Sequence, residues 1–257
     1  MNIIRGFKTE LDPNDKQRTA LLQHAGTARF AYNWGLQRCI EARTNGERKP
    51  SAIDLHREWN IWKRENATWA MEVSKCSPQE ALRNLDRAYA NFFRRCKLKK
   101  QKKFKGKVGF PRMKSRKNGI GSFRLTGHIH IQETNITLPV IGTLRLKEHK
   151  YLPTNAIRVL SAAVSERAGR WFVSVQVEIE SQDLHRDRDD HHERDQEHPI
   201  IGVDLGIKTL AVCSDGRTFE SPRALRANLR RLRRANKSLH RKVKGSSNRK
   251  KAKRRLS

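Results

Sequence analysis

Residues 199–212 read PIIGVDLGIKTLAV, the most informative pattern in the chain. An apolar run leads into one carboxylate, Asp204, then passes Gly206 and continues as a second apolar run. Apolar runs separated by a glycine predict two short strands. An acid inside an apolar strand is costly to bury unless it is paired, and metal ions are a common partner. Asp204 is therefore either a metal-binding carboxylate or a cap on the turn, and spacing alone leaves both open.

The segment after this motif predicts a third strand and then a strongly basic helix. Asp215-Gly216 is typical of a hairpin turn, and Ser221-Pro222 is typical of a helix start. From residue 222 to residue 257 there are sixteen Lys or Arg and no acid. The cations predict a nucleic-acid-binding helix, with a disordered basic tail or a nuclear localisation signal as alternatives. The candidate contacts are Arg230, Arg231, Arg233, Arg234, Lys237, Arg241 and Lys242. Packing is predicted for one apolar stripe: Leu225, Leu229, Leu232, Leu239 and Val243.

The region before the motif predicts a charged linker and a β-rich unit. Residues 181–198 are mostly charged, and Leu184 is their only core-forming residue, so we predict a solvated tether there. Residues 120–179 predict six short strands of a small barrel or sandwich, with a hairpin turn at Arg167–Arg170. His128 and His130 would share one strand face, but two histidines without a third ligand favour ordinary packing over a metal site.

The first hundred residues predict one strand followed by helices. Residues 2–11 indicate the strand, and Asp12-Pro13 indicates the start of a long amphipathic helix. Ser51–Asp54 predicts a second helix start, and Ser77–Glu80 predicts a capping box for a third. Three tryptophans follow the second start, and their helical spacing favours core packing over a base-stacking platform: Trp59, Trp62 and Trp69.

A dense basic segment separates the helices from the strands. Thirteen of the twenty-four residues 94–117 are Lys or Arg and none is acidic. The glycines and Pro111 break helical structure, so we predict a loop that follows a phosphate backbone, with a solvated linker as the alternative. Phe104 and Phe110 are candidates for stacking on bases. The candidate contacts are Arg94, Arg95, Lys99, Lys100, Lys102, Lys103, Lys105, Lys107, Arg112, Lys114, Arg116 and Lys117.

The overall charge points to the class of partner. The 257 residues include 56 Lys plus Arg against 26 Asp plus Glu, a formal net charge of +30. Such an excess repels itself, and a polyanion relieves that repulsion while releasing counterions. The composition therefore predicts a nucleic-acid partner rather than a generally basic surface.

Cysteine spacing and hydropathy indicate the compartment. Cys39, Cys76, Cys96 and Cys213 stand far apart, which favours buried reduced thiols over a zinc ribbon or a disulfide framework. No apolar run is long enough for a signal peptide or a membrane span. We therefore predict a cytoplasmic, nucleoid-associated protein with no membrane partner.

Five segments together resemble one known family. IGVDLGIKTLAV, residues 201–212, resembles the first motif of RuvC-type nucleases, which have an RNase H-like fold. The whole chain resembles the TnpB (OrfB) family encoded by insertion sequences, long described as transposases and related to type V CRISPR effectors. The other matching segments are GTARFAYNWGL (26–36), LRNLDRAYANFFRR (82–95), GFPRMKS (109–115) and LRANLRRLRRANKSLHRKVKGSSNRKKAKRR (225–255).

The resemblance implies an activity, a site and a fold. Members are RNA-guided DNA endonucleases in which a guide RNA pairs with target DNA, while the protein grips backbones and reads a short flanking motif. Asp204 would be the first catalytic, Mg²⁺-binding carboxylate. The implied fold is mixed α/β, with a β-barrel-like wedge domain that carries a helical insertion, followed by the start of an RNase H-like (RuvC) domain.

The resemblance also implies features that this sequence does not contain. Family members continue with a second catalytic carboxylate, a four-cysteine zinc ribbon and a third carboxylate. One carboxylate does not hold two metal ions, so we expect a C-terminally truncated member that binds nucleic acid but does not cleave alone. Two alternatives stay open: a nuclease-dead RNA-guided DNA-binding repressor, and a non-functional truncated remnant.

The expected domain organisation follows from these patterns. Residues 1–180 would form the wedge-like domain, with a helical recognition insertion at about 12–97 and the basic loop 94–117. A charged linker at 181–198 would lead to an incomplete RuvC-like domain at 199–257, which ends in the basic helix and tail.

Overall fold

The computed structural model describes residues 2–116, 119–180 and 201–256. The chain divides into two compact units, one up to residue 181 and one from residue 182. The predicted linker at 181–198 lies outside the described residues. The described part is mixed α/β, as the sequence predicts.

The first unit is built on a seven-stranded antiparallel sheet with the order β2-β6-β7-β1-β5-β4-β3. The longest pairing joins β1 to β7, from Asn2 opposite Glu180 to Leu11 opposite Trp171. Every second residue of β7 is buried, from Trp171 to Ile179, as expected for a strand with one face on a core. The strands are β1 Asn2–Asp12, β2 Ser122–Leu125, β3 His130–Ile131, β4 Asn135–Leu138, β5 Gly142–Leu146, β6 Arg158–Arg167 and β7 Arg170–Glu180.

The prediction of a barrel is wrong, because the sheet stays open. Its edge strands are β2 and β3, with four and two residues, and they do not pair with each other. Closure needs the two edges to pair along a matched length, which strands this short do not supply. The edge strand β2 packs instead against the helices of the same unit.

The hairpin turn predicted at Arg167–Arg170 is confirmed. Arg167, the last residue of β6, pairs with Arg170, the first residue of β7. Ala168 and Gly169 between them have φ values of 55° and 84°. Two central residues with positive φ match the twist of the flanking strands, so this turn fixes the register of the longest hairpin.

Three helices and a short 3-10 helix lie between β1 and β2 in the chain. Two of the predicted starts need correction. The first helix is capped by Asn14, not by Asp12, and the third begins beyond Lys75 without a side-chain cap, because the Ser77 hydroxyl donates to the carbonyl of His24. The start at Ser51 is confirmed as a capping box with Asp54. The helices are α1 Asp15–Thr44, α2 Ala52–Asn66, the 3-10 helix Thr68–Met71 and α3 Cys76–Lys100.

Close helix packing forms the core of this region. A Cβ at Gly35 of α1 would stand 2.6 Å from a methyl of Leu82 on α3 and 3.2 Å from one of Leu85. The absent side chain therefore lets α1 and α3 approach closely. Trp59 is fully buried, and its ring centroid lies 5.6 Å from that of Trp62, which confirms core packing for this pair. Trp69 differs, since 44% of it is exposed.

The second unit contains a small antiparallel sheet, ordered β10-β9-β8, and two helices. The strands are β8 Val203–Leu205, β9 Thr209–Cys213 and β10 Thr218–Glu220, and the helices are α4 Ala224–His240 and α5 Ser247–Leu256. The predicted helix start at Ser221-Pro222 shifts to Arg223, which has no capping side-chain bond. The predicted packing of the leucine stripe is only partly present within this unit: Leu225 is 72% and Leu232 is 45% exposed, whereas Leu229 and Leu239 are half-buried. None of the helices described in either unit is both long enough and apolar enough to cross a bilayer.

Candidate nucleic-acid interface

The helices α4 and α5 form a hairpin that one arginine holds together. Arg249, in the first turn of α5, donates from Nη1 to the carbonyl oxygens of Leu239 and Lys242, each at 2.9 Å. Carbonyls at the end of a helix lack intrahelical partners, and a guanidinium is a strong donor for them. Arg249 therefore fixes how the two basic helices face each other.

Between these helices lies a cleft of 610 Å³ whose charged lining is entirely cationic. Ala252 at its floor is buried, whereas the cations around it remain in contact with solvent. A cleft lined by one sign of charge focuses the field and concentrates counter-ions. Its lining residues are Arg231, Arg234, Ala235 and Ser238 from α4, Lys242 just after α4, and Asn248, Lys251, Ala252 and Arg255 from α5.

The structure sorts the seven candidates of the basic helix into two groups. Three of them line the cleft: Arg231, Arg234 and Lys242. The other four do not: Arg230, Arg233, Lys237 and Arg241. Lys251 and Arg255 also line the cleft but are not among the residues predicted from sequence, although their helical spacing from Asn248, three and seven residues, is a signal that could have identified them.

The basic segment 94–117 is helical in its first third, which corrects the predicted loop. Helix α3 continues to Lys100, so Arg94, Arg95, Lys99 and Lys100 project from its last two turns. Positive residues at a helix C-terminus are favoured by the helix dipole, and glycines begin only at Gly106. The candidates from Lys102 to Arg116 follow on irregular chain and are exposed, whereas Lys117 lies outside the described residues.

The two phenylalanines of this segment pack internally. The Arg95 guanidinium lies 5.9 Å from the centroid of the Phe104 ring. Phe110 makes edge-on contacts with Tyr89 and Phe92 of α3, at centroid distances of 5.5 and 5.4 Å. Both rings therefore hold the basic segment to α3, and their predicted stacking on bases would compete with these contacts.

Lys114 is exposed as a residue but is anchored to α1 by its backbone, and its ammonium group lies against an aromatic ring. Its backbone N–H donates to Asn33 Oδ1 at 2.7 Å, and its carbonyl accepts from Asn33 Nδ2 at 2.9 Å. Its ammonium group lies 3.9 Å from the centroid of the Tyr32 ring. Desolvation in this position lowers the pKa of Lys114. The paired hydrogen bonds make Lys114 the point where the basic segment docks on the helices.

Asp204 lies in the middle of β8 and is exposed, contrary to the expectation of an acid inside a buried strand. It stands opposite Val212 of β9. The two acids nearest in sequence do not join it: Asp215 accepts from the backbone and guanidinium of Arg217, which lower its pKa, and Glu220 lies on the opposite edge strand, β10. Neither of these two acids therefore joins Asp204 in a shared site.

The described residues do not fit the metal sites that the family resemblance implies. Across residues 2–116, 119–180 and 201–256, no three side chains of His, Cys, Asp or Glu converge as a metal ion requires. The four cysteines are unbonded thiols, of which Cys39 and Cys213 are buried. His128 and His130 are exposed on either side of the buried Ile129.

Two family models match this sequence. One, described as a helix-turn-helix domain of OrfB proteins, matches residues 1–48, and the other, described as "Probable transposase", matches residues 162–257. In the structure the first of these segments holds β1 and α1, one strand and one helix, so its description does not fit the observed elements. The second segment includes Asp204 and the cationic cleft.

Curated relatives align along nearly all of the chain. A protein of Escherichia coli K12 named "Putative RNA-guided DNA endonuclease InsQ" is 30% identical over 261 residues, with 100% of this chain and 58% of the relative covered. A "Putative RNA-guided DNA endonuclease" of Streptomyces pristinaespiralis is 31% identical, over 99% of this chain and 59% of the relative. One from Mycobacterium tuberculosis is 32% identical, over 95% and 56%. The chain thus spans a little over half the length of these relatives.

Proposed function

The chain belongs to the OrfB (TnpB) family of insertion-sequence proteins, and we propose that it binds guide RNA and target DNA as the gripping part of an RNA-guided endonuclease linked to transposition. The names of the relatives supply the RNA and DNA partners. This chain supplies the charge and the surfaces to hold them. It would act at the nucleoid, where the target DNA lies.

The α4–α5 cleft carries this proposal. Five cations, two of Lys and three of Arg, line it with no acid among the lining residues. Neutralising a phosphate releases condensed counterions, and each such contact steepens the salt dependence of binding. Lys and Arg are the side chains that most often contact phosphates, so we propose that the cleft holds a nucleic-acid backbone and leaves the reading of sequence to base pairing.

The basic segment would form a second grip on the other unit. Its cations line the end of α3 and an exposed chain that is docked at Lys114. Two grips suit the division of labour in guided systems, in which base pairing supplies specificity and the protein holds backbones.

The same proposal holds that these 257 residues bind without cutting. Phosphodiester cleavage by two metal ions needs several carboxylates to hold the ions on both sides of the reacting phosphate. Asp204 stands exposed and apart from the other described carboxylates. This observation also favours a second candidate function, a guided repressor that occupies DNA without cleaving it.

A salt titration tests the binding proposal. Fluorescence anisotropy of a labelled RNA hairpin and of a labelled DNA duplex would give Kd across a range of KCl concentrations. If the five cleft cations all meet phosphates, they alone contribute about −4 to −5 to the slope of log K against log salt, and contacts of the basic segment make the slope steeper. A slope near zero, or no binding at low salt, would contradict the proposal.

A cleavage assay tests the second part. The purified protein, supercoiled plasmid and Mg²⁺ should give no nicking beyond background, and Asp204→Asn should behave like the unchanged chain. Mg²⁺-dependent cutting that disappears in Asp204→Asn would overturn the claim that this chain binds without cutting.

A further inference from the structure

A pocket on the face of α1 is distinct from the α4–α5 cleft and lies beside the basic segment. Its volume is 350 Å³, at the lower end of the size range of small-ligand sites. Gln23, Gly26 and Phe30 contribute from α1, three or four residues apart and hence on one face. Trp69 of the 3-10 helix and Glu72 just after it form the opposite wall.

An aromatic wall faces the solvent in this pocket. Trp69 is 44% and Phe30 is 40% exposed, whereas Trp59 in the same cluster is 0% exposed. The rings of Phe30 and Trp69 meet edge to face, with centroids 5.4 Å apart. Phe30 also stacks on Trp62 at 5.8 Å, so its ring is fixed by the core. A rigid, exposed aromatic surface is suited to a planar apolar ligand.

The polar lining is suited to the edge of a nucleobase. The side chains of Gln23 and Glu72 have no hydrogen-bond or ion-pair partner within the described residues. A glutamine amide offers both a donor and an acceptor, while an ionised carboxylate only accepts. The floor at Gly26 is open, since a Cβ built there meets nothing within 4 Å.

The pocket adjoins the basic segment, which would carry a nucleic-acid backbone. Asn33, at one end of the pocket, is the residue that holds Lys114 by two hydrogen bonds. Arg29 lines this pocket and also the neighbouring one formed with Met113 and Lys114. Arg29 therefore lines the pocket together with Glu72, and Lys114 lies in the neighbouring one, so a cation and a carboxylate are both near a bound nucleotide.

We propose that this pocket holds one unpaired nucleobase of the bound strand, stacked against Trp69. Glu72 selects a base with an exocyclic amino group, because a carboxylate accepts from an amino group and repels a carbonyl oxygen. Adenine, cytosine and guanine fit this rule, and thymine and uracil do not. The proposal rests on the nucleic-acid binding proposed above and adds a site that reads a base.

Fluorescence anisotropy tests the base pocket with three labelled single strands of about 12 nucleotides. The strands are oligo(dA), oligo(dT) and an abasic strand of equal charge. The unchanged protein should bind oligo(dA) more tightly than the other two. Trp69→Ala should weaken oligo(dA) binding roughly tenfold, with the abasic strand and the salt slope unaffected. Gly26→Leu should do the same by filling the pocket, and since leucine favours a helix more than glycine does, its folding is not at risk.

Met71→Ala is the matched control, because Met71 lies on the same 3-10 helix, is 54% exposed and does not line the pocket. It should bind all three strands like the unchanged protein. Glu72→Gln should raise the affinity for oligo(dT) relative to oligo(dA). If all strands bind equally and Gly26→Leu changes nothing, the base pocket is overturned while binding through charge stands. If no strand binds at all, both proposals fall.

Discussion

Similar apolar patterns are buried in the first unit of the chain and exposed in the second. In the first unit, Leu82 and Leu85 of α3 are 0% exposed beneath α1. In the second unit, Leu225 of α4 is 72% exposed and Leu205 of β8 is 76% exposed, although both lie in equally regular apolar patterns. An amphipathic pattern therefore identifies the face that can be buried, but burial itself depends on what packs against that face.

The two units are therefore stabilised by different interactions. The first unit has a continuous core, from Leu21 in α1 to Ile179 in β7, and its helices are held by packing. In the second unit, α4 has no buried residue, and its end is held to α5 by hydrogen bonds from Arg249. Charge rather than core is the dominant feature of these two helices.

The same leucine-to-alanine change in each unit is the strongest test of this comparison. Leu82→Ala should lower the free energy of unfolding of the first unit by about 2–5 kcal/mol, because it removes buried methyl groups and leaves a cavity. Leu225→Ala should change the stability of α4 by no more than about 0.5 kcal/mol, since its side chain already contacts water. All five tryptophans lie within residues 34–171, so urea unfolding followed by tryptophan fluorescence reports the first unit alone.

Hydrogen exchange of the amides in 224–240 would report the second unit for Leu225→Ala. If Leu225→Ala costs as much as Leu82→Ala, the leucine stripe is buried in solution and the contrast between the units fails.

A glycine substitution tests the close approach of α1 and α3. Gly35→Val should destabilise the first unit by about 1–3 kcal/mol, because the added atoms overlap Leu82 and Leu85 in a packed core. Gly26→Ala, on the same helix with open space around the new methyl, should stabilise it by about 0.5–1 kcal/mol. Urea midpoints with an unchanged slope would measure both, and a Gly35→Val protein of unchanged stability would disprove the close contact.

A buried histidine should give the first unit a mild pH dependence. His24 Nδ1 lies 2.7 Å from the carbonyl of Ala20 and donates to it, and Nε2 accepts from the backbone N–H of Ser74 at 3.1 Å. Burial lowers the pKa of His24. The unfolded chain therefore takes up a proton near pH 6.5 while the folded chain does not, and stability falls as pH drops below about 6.5.

The expected loss is about 1 kcal/mol per pH unit below that point, until the folded pKa is reached. His56, whose pKa is lowered mainly by burial, acts in the same direction. Unfolding free energies measured between about pH 7 and pH 5.5 should show a reduced slope in His24→Gln. An identical slope in that variant would assign the pH dependence to other groups.

Much of the fold was predictable where local signals agree with packing. The capping box at Ser51, the turn at Ala168-Gly169 and the three strands around Asp204 follow directly from residue types and spacing. Sheet closure was not predictable, because it depends on which distant strands meet. The start of α3 was mistaken for a similar reason: Ser77 bonds to His24, a partner fifty-three residues away.

The candidate interface was only partly predictable. Charge identified the basic helix, but the cleft has two walls, and Lys251 and Arg255 become part of a site only through the α4–α5 hairpin. Trp69 was raised from the sequence only as part of a base-stacking alternative to core packing, and the pocket around it was not predictable, since its walls come from residues about forty positions apart. Asp204 shows the converse: a strong motif, which the structure places on an exposed strand, while no group of three potential metal ligands forms among the described residues.

The most direct test of the central claim compares two charge-matched variants of the segment 230–242, which holds most of α4 and the two residues after it. One replaces Arg231, Arg234 and Lys242, which line the cleft, with glutamine. The other replaces Arg230, Arg233 and Lys237, which lie on the same helix outside the cleft. Both remove two arginines and one lysine, so they change the net charge equally.

The salt dependence of RNA-hairpin binding, measured by anisotropy, decides between them. The cleft variant should reduce the slope of log K against log salt by about two to three, because three phosphate contacts are lost. The matched variant should reduce it by less than about one. Equal reductions would contradict the account, since net charge rather than the cleft would then hold the nucleic acid.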